Sequence, residues 1–209
     1  TYRLLCARRD RGHFDLAFVD QSDTAALAVV LAKKPALVLI ETPSNPLMRV
    51  VDVRAIARQA KEAGAKVAVD NTFLSPALQQ PISLGADFVI HSTTKYLNGH
   101  SDIVGGAVVA AAEADVEPLR SWANVTGVTG SPFDAYLTLR GIRTLFVRVE
   151  RQQANAAAVA TFLSGHKAVA AVHYPGLENH SGHAIAKAQQ AGFGAMLSFD
   201  LAGGVEAVR

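Results

Sequence analysis

An α/β fold, with a mostly parallel sheet covered by helices, is predicted by three features of this chain. The apolar runs at 36–40, 66–69 and 87–90 lack the polar/apolar alternation of a half-solvated strand, as strands buried on both faces do. A stretch of helical periodicity separates the first two runs. Capping and turn residues stand at the junctions between them.

Taken in order, residues 1–5 read as the interior of an amphipathic helix, and Arg8, Arg9 and Arg11 around Asp10 read as its solvated end. After the strand at 36–40, Asp52 is placed to cap a helix whose Val53, Ile56, Ala57 and Ala60 repeat on one face and which Gly64 stops. With the strand at 66–69 this completes a βαβ unit. Strands at 87–90 and 106–110 follow, the second expected to be as buried as the others. Ser131 then suits a cap, Pro132 a first helical turn, and Asp134 lies three residues past the cap. The helical region beyond runs through Leu145, Val149 and Ala156 to about Leu163, and Gly141 is expected to break it in two, since glycine costs ~1 kcal/mol inside a helix. A strand at 169–174, a helix at 183–190 and a strand at 195–201 come next, and 205–209 reads as the start of another helix. The expected division is one domain over 1–194 and the opening of a second over 195–209. Both ends read as cut from something longer.

Composition narrows the function. Half the residues are hydrophobic, 18% are charged and the net charge is only +2, which fits a globular protein and gives no basic stripe for nucleic acid. Cys6 is the only cysteine, so no intrachain disulfide forms and a reducing cytoplasm is expected. The longest apolar run, 103–112, is too short to span a bilayer. The expected partners are small molecules, with neither nucleic acid nor membrane.

Chemistry concentrates at the ends of the predicted strands, where ligands of parallel α/β sheets gather. Lys95 lies in His91-Ser92-Thr93-Thr94-Lys95-Tyr96, just past the run at 88–90, and reads as a Schiff-base lysine. Asp70 ends the earlier run and could keep a pyridine nitrogen protonated, while Ser92 and Thr94 could donate hydroxyls to a phosphate. Together they suggest a pyridoxal phosphate site. Asn45, between two prolines at the exit of the first strand, could donate to the cofactor's phenolic oxygen. Plainer readings stand beside these: a turn capped by Asp70 with Asn71 and Thr72, an exposed loop lysine, and an Asn-Pro turn. His91, His100 and Asp102, or His173, His180 and His183, lack a metal-ligand spacing, so no metal is expected. Glycine-loop nucleotide motifs and a nucleophile elbow are absent.

As a set, these residues resemble the transsulfuration, or Cys/Met-metabolism, enzymes of the fold-type I pyridoxal phosphate group. The resemblance runs through Glu41-Thr42-Pro43-Ser44-Asn45-Pro46, Val69-Asp70-Asn71-Thr72-Phe73, His91-Ser92-Thr93-Thr94-Lys95-Tyr96, Gly99-His100-Ser101-Asp102, Ser131-Pro132-Phe133-Asp134, Arg140-Gly141 and Tyr174-Pro175-Gly176. It implies a fold-type I large domain with only the start of a C-terminal α+β domain. It also implies Lys95 as the cofactor-bound lysine and proton shuttle, Asp70 at the pyridine nitrogen, Ser92 and Thr94 at the phosphate and Asn45 at the phenolic oxygen. The stretches at 70–79, 95–102 and 192–199 look most like the bacterial branch that joins an O-acylated homoserine, expected to be the succinyl ester, with cysteine to give cystathionine for methionine biosynthesis. A cystathionine or methionine γ-lyase is the alternative on the same motifs, and an inactive fragment or scaffold is the alternative of another class. The resemblance further implies a homotetramer with shared active sites. It puts the phosphate-binding glycine loop, the ring-stacking tyrosine and a neighbour's arm upstream of Thr1, and the substrate-gripping arginine beyond Arg209.

Overall fold

In the computed structural model, which describes residues 1–207, Asp52 accepts a hydrogen bond from the Ala55 amide at 2.9 Å and starts α3 (Val53–Glu62). The four residues predicted to share a face, Val53, Ile56, Ala57 and Ala60, are its buried ones. Gly64, at a φ of +84°, turns the chain into the next strand, a left-handed conformation that glycine adopts without penalty. α3 thereby links β1 (Leu37–Glu41) to β2 (Lys66–Asp70), and the two strands pair in parallel. β3 (Phe88–Ser92) pairs in parallel on the other side of β2. Val38, Ile40, Val67 and Val69 pack with Leu27 and Leu31 of α2 (Thr24–Leu31) and with the buried face of α3 in one core cluster. A fully buried aliphatic side chain of this kind contributes about 1.5–3 kcal/mol.

β4 (Gly106–Ala110) departs from expectation. It lies at the edge of the sheet, in the order β1-β2-β3-β4, and runs antiparallel to β3. Val108 and Val109 are about half exposed, so the strand is not buried on both faces. The cause lies in the connection: residues 93–105 form turns without the helix that a parallel crossover uses, so the chain doubles back beside β3. The sheet remains mostly parallel and helices flank it, as the fold class predicts.

Beyond the sheet, Ser131 accepts from the Asp134 amide and starts α6 (Pro132–Ile142), and α7 (Leu145–Ser164) follows after Arg143 and Thr144. There are two helices, but the break falls just after Gly141. That glycine instead allows close packing: a Cβ there would lie 2.1 Å from the Asn98 carbonyl oxygen. β5 (Val169–His173) and β6 (Ser198–Leu201) pair antiparallel, with α8 (His183–Gln189) between them. α1 (Tyr2–Arg9), α4 (Ser75–Leu78) and α5 (Val116–Thr126) complete the α-helices among the described residues. The helix expected over 205–209 is a 3-10 turn at Gly204–Ala207, and positions 208 and 209 lie outside the described residues. Among the described residues, no helix is long and apolar enough to cross a membrane.

Gly141→Ala tests how tightly α6 seats on the turn after β3. On helix propensity alone the change would stabilise by about 1 kcal/mol. The clash is with backbone that cannot swing aside, so a net loss of about 1–3 kcal/mol is expected from overpacking. Urea denaturation of the variant measures the sign.

Candidate active site

Parallel pairing sets the site. Glu41, Asp70 and Ile90 are in register across β1, β2 and β3, so the loops leaving the three strands open at one edge of the sheet. Those loops carry Asn45, the segment beginning at Asp70, and the turn holding Ser92, Thr94 and Lys95. This is the carboxyl end, where helix-flanked parallel sheets bind ligands.

Asp70 is half-buried, and its Oδ1 accepts from the Thr72 amide at 3.0 Å and from the Thr72 hydroxyl at 2.5 Å. The Thr72 hydroxyl in turn accepts from the Ser92 amide at 2.9 Å. One side chain therefore ties the carboxylate of β2 to the end of β3, in a chain whose donors all point toward the acid and strengthen one another. Oδ2 of Asp70 has no hydrogen-bond partner among the described residues. The turn reading of Asp70 and the ligand reading are thus compatible: one oxygen serves the turn and the other is free. Thr72 was visible in the sequence only as a turn residue, since its link to Ser92 spans two strands.

The segment after Asp70 is held from below. Asn71, fully buried, donates through Nδ2 to the Gln79 carbonyl and accepts from the Gln79 side chain, while its amide donates to Ile90. This buried amide pair fixes the loop at both ends and leaves Asp70 little freedom to turn away.

Lys95 is exposed, on a turn in which its amide donates to the Ser92 carbonyl and its carbonyl accepts from Gly99. Its ammonium has no hydrogen-bond or ion-pair partner among the described residues, and neither has the Ser92 hydroxyl. Thr94 Oγ1 accepts from the Gly105 amide at 3.1 Å and lies 3.4 Å from the Gly105 carbonyl, so its hydroxyl proton is only weakly engaged. Asn45 is exposed on the neighbouring loop, where its backbone amide donates to the Glu41 carboxylate and its side chain has no hydrogen-bond partner among the described residues. Asp70 and Ser92 are thus linked through Thr72, Lys95 to Ser92 through its own turn, and Asn45 only by sharing the edge.

Three further residues shape this edge. Tyr96, following Lys95, is pushed up to about 12, mainly by burial, so it is a neutral phenol at neutral pH. Tyr174 donates to the Gly194 carbonyl at 3.0 Å and fastens the 192–197 segment beside it. Arg148 of α7 donates to the Tyr96 carbonyl at 3.0 Å. Tyr96 and Tyr174 stand in the motifs quoted above without a role assigned, whereas Arg148 carries no local signal because its partner lies 52 residues away.

A carboxylate with a free oxygen, hydroxyls on an adjoining strand end and an unpaired amine form the donor set that pyridoxal phosphate requires at its ring nitrogen, phosphate and aldehyde. The fold and this donor set define a pyridoxal phosphate enzyme class built on a helix-covered, mostly parallel sheet. A sequence model of the Cys/Met metabolism PLP-dependent enzyme family matches residues 1–209, and the chain belongs to that family. It is 54% identical over 209 residues to the cystathionine gamma-synthase of Escherichia coli (strain K12), covering 100% of this chain and 54% of that protein. A crystal structure of cystathionine gamma synthase from Xanthomonas oryzae pv. oryzae in complex with cystathionine superposes with a TM-score of 0.98 at 58% identity, again over 100% of this chain and 54% of that one. A cystathionine gamma-lyase of Bacillus subtilis (strain 168) is 46% identical over 201 residues, 96% of this chain and 53% of that protein. The chain therefore spans about half the length of the relatives it matches. The family resemblance read from the motifs holds.

Burial sets a pH dependence here. His91, buried on β3, is held below the usual histidine value of 6.5 by desolvation, with the Asp70 charge opposing, and His180 is lowered by burial and by His173 and His183. Both bind fewer protons folded than unfolded, so stability falls as pH drops from 6.5 toward the folded values. Urea midpoints measured from neutral pH to about one unit below the free-histidine value should decline, and His91→Gln should flatten part of that decline. A midpoint that is level across the window, or unchanged by the substitution, contradicts this assignment.

Proposed function

We propose that this chain is the cofactor-holding and proton-moving centre of an enzyme that joins an O-acylated homoserine, in the succinyl form, with cysteine to give cystathionine in methionine biosynthesis. The observation that carries it is the Asp70 carboxylate, tied through Thr72 to the end of β3 beside the Lys95 turn, in a chain 54% identical throughout to a cystathionine gamma-synthase. Because the relatives are about twice as long, the proposal concerns a polypeptide of their length.

Asp70 would meet the pyridine nitrogen with its free Oδ2 and keep it protonated, since a carboxylate beside a cation favours the charged pair. Ser92 and Thr94 would give hydroxyl protons to the phosphate, and Asn45 its side-chain amide to the phenolic oxygen. When bound, the cofactor supplies a protonated ring that takes up the electron pair left as the substrate's α-carbon loses its proton. Lys95 Nζ would hold the aldehyde in the resting enzyme, accept the α-proton, and carry protons at the β- and γ-carbons as the acyl group leaves and the thiol enters. Residues 1–194 would form most of the cofactor domain and 195–209 begin the next. The exposed Phe133, Tyr136, Leu139 and Phe146 on α6 and α7 support a homotetramer, in which such apolar surface is covered. A single cysteine supports a cytoplasmic setting.

The 46% identity to a cystathionine gamma-lyase favours one second reading, γ-elimination on the same residues. Borohydride reduction of the full-length enzyme followed by peptide mapping should fix the cofactor on Lys95, and Lys95→Ala should lower turnover by about 10²–10⁴-fold. A label on another lysine, or on none, overturns the site. With O-succinylhomoserine and cysteine the expected product is cystathionine; ketoacid and ammonia without cystathionine would select the lyase.

A further inference from the structure

We infer that Arg148 is a positioning residue for the reaction, holding the turn that presents Lys95 by gripping the carbonyl next to it. Its guanidinium makes bonds to three different groups: Nη1 to the Tyr96 carbonyl at 3.0 Å, Nη2 to the Gly141 carbonyl at 2.7 Å, and Nε to the Thr144 hydroxyl at 3.0 Å. The last two lie at the end of α6 and the start of α7. The first crosses 52 residues of sequence to reach the Lys95 turn. A single rigid fork therefore locks the α6–α7 junction to the peptide that follows Lys95, a task suited to the planar donors of arginine.

The surroundings show that the contact is built rather than incidental. No carboxylate lies within ion-pair distance of Arg148 among the described residues, and burial lowers its pKa below the ordinary arginine value. A half-buried cation satisfied by carbonyls and a hydroxyl alone is costly to keep for packing, where an apolar side chain would serve. The turn also lies directly against it. Gly99 sits at a φ of +78°, and a Cβ there would fall 2.0 Å from Nη1, so the backbone approaches the guanidinium as closely as a bare glycine allows. Gly141 makes the corresponding approach to Asn98 from the other side. With the Lys95 carbonyl bonded to Gly99 and the Tyr96 carbonyl to Arg148, consecutive peptides on the C-terminal side of the lysine are both fixed. Proton transfer at carbon tolerates little misplacement of the transferring amine, and an error of about 1 Å can cost about 10²-fold in rate.

This inference rests on Lys95 being the proton-moving lysine, and the test separates the two. In the full-length holoenzyme, Arg148→Met should reduce kcat by ~10²-fold with KM for both substrates little changed, because the group that moves protons is displaced while those that bind substrate are not. Arg148→Lys, which keeps the cation but only one donor nitrogen, should recover part of that loss and also serves if the methionine variant does not fold. Thr144→Val removes only the bond inside the α6–α7 junction; it should lower the melting temperature and leave kcat unaltered. If both Arg148 variants keep wild-type kcat, or if Thr144→Val loses as much kcat as they do, the positioning role is wrong and the arginine merely staples two helices. Borohydride mapping of the wild type runs alongside: a label away from Lys95 refutes the underlying site, whereas a label on Lys95 with unchanged kcat in the Arg148 variants refutes this inference alone.

Discussion

Everything at the site depends on the in-register parallel pairing of β1, β2 and β3. Side chains alternate between sheet faces, so a slip of one residue would turn Asp70 to the opposite face from the one it now occupies. The pairing of Glu41 with Asp70 and of Asp70 with Ile90 prevents this, and the aliphatic residues of β1 and β2 specify it by burying one set against α2 and α3. Core packing and placement of the acid are therefore a single constraint. A sequence change that loosened the core would also misdirect the chemistry.

On that frame the polar groups form a hierarchy. The buried Asn71–Gln79 pair fixes the loop after β2, Thr72 joins the Asp70 carboxylate to the end of β3, and Arg148 joins the Lys95 turn to α7. Each link includes at least one backbone partner, and none of them uses the free carboxylate oxygen or the free amine. Asp70 Oδ2 and the Lys95 amine are left unpaired while neighbouring groups hold their positions, the arrangement a preorganised site uses.

What could be read from the sequence follows from the range of the interactions. The Asp52 cap, the buried face of α3 and the Gly64 stop are local patterns, and all were legible. Lys95 and Asp70 could be singled out as candidates because each stands at or just past the end of a recognisable strand, and the family was legible because its motifs are spread along the whole chain. β4 was misjudged because an apolar run of five residues looks the same in an edge strand as in a central one; only the helix-free connection from β3 decides its direction. α2 and α5 carry weak signals, although Asp23 caps α2 by accepting from two amides. Arg148 was illegible because its partner lies 52 residues away.

The central claim is that one pyridine ring meets Asp70 and Lys95 together. A crystal structure of the full-length protein loaded with pyridoxal phosphate tests it most directly. The account predicts the ring nitrogen within hydrogen-bond distance of Asp70 Oδ2 and the aldehyde carbon joined to Lys95 Nζ. A cofactor bonded to Lys95 whose ring nitrogen faces some other group, or a cofactor seated away from the carboxyl edge of β2 and β3, would contradict it.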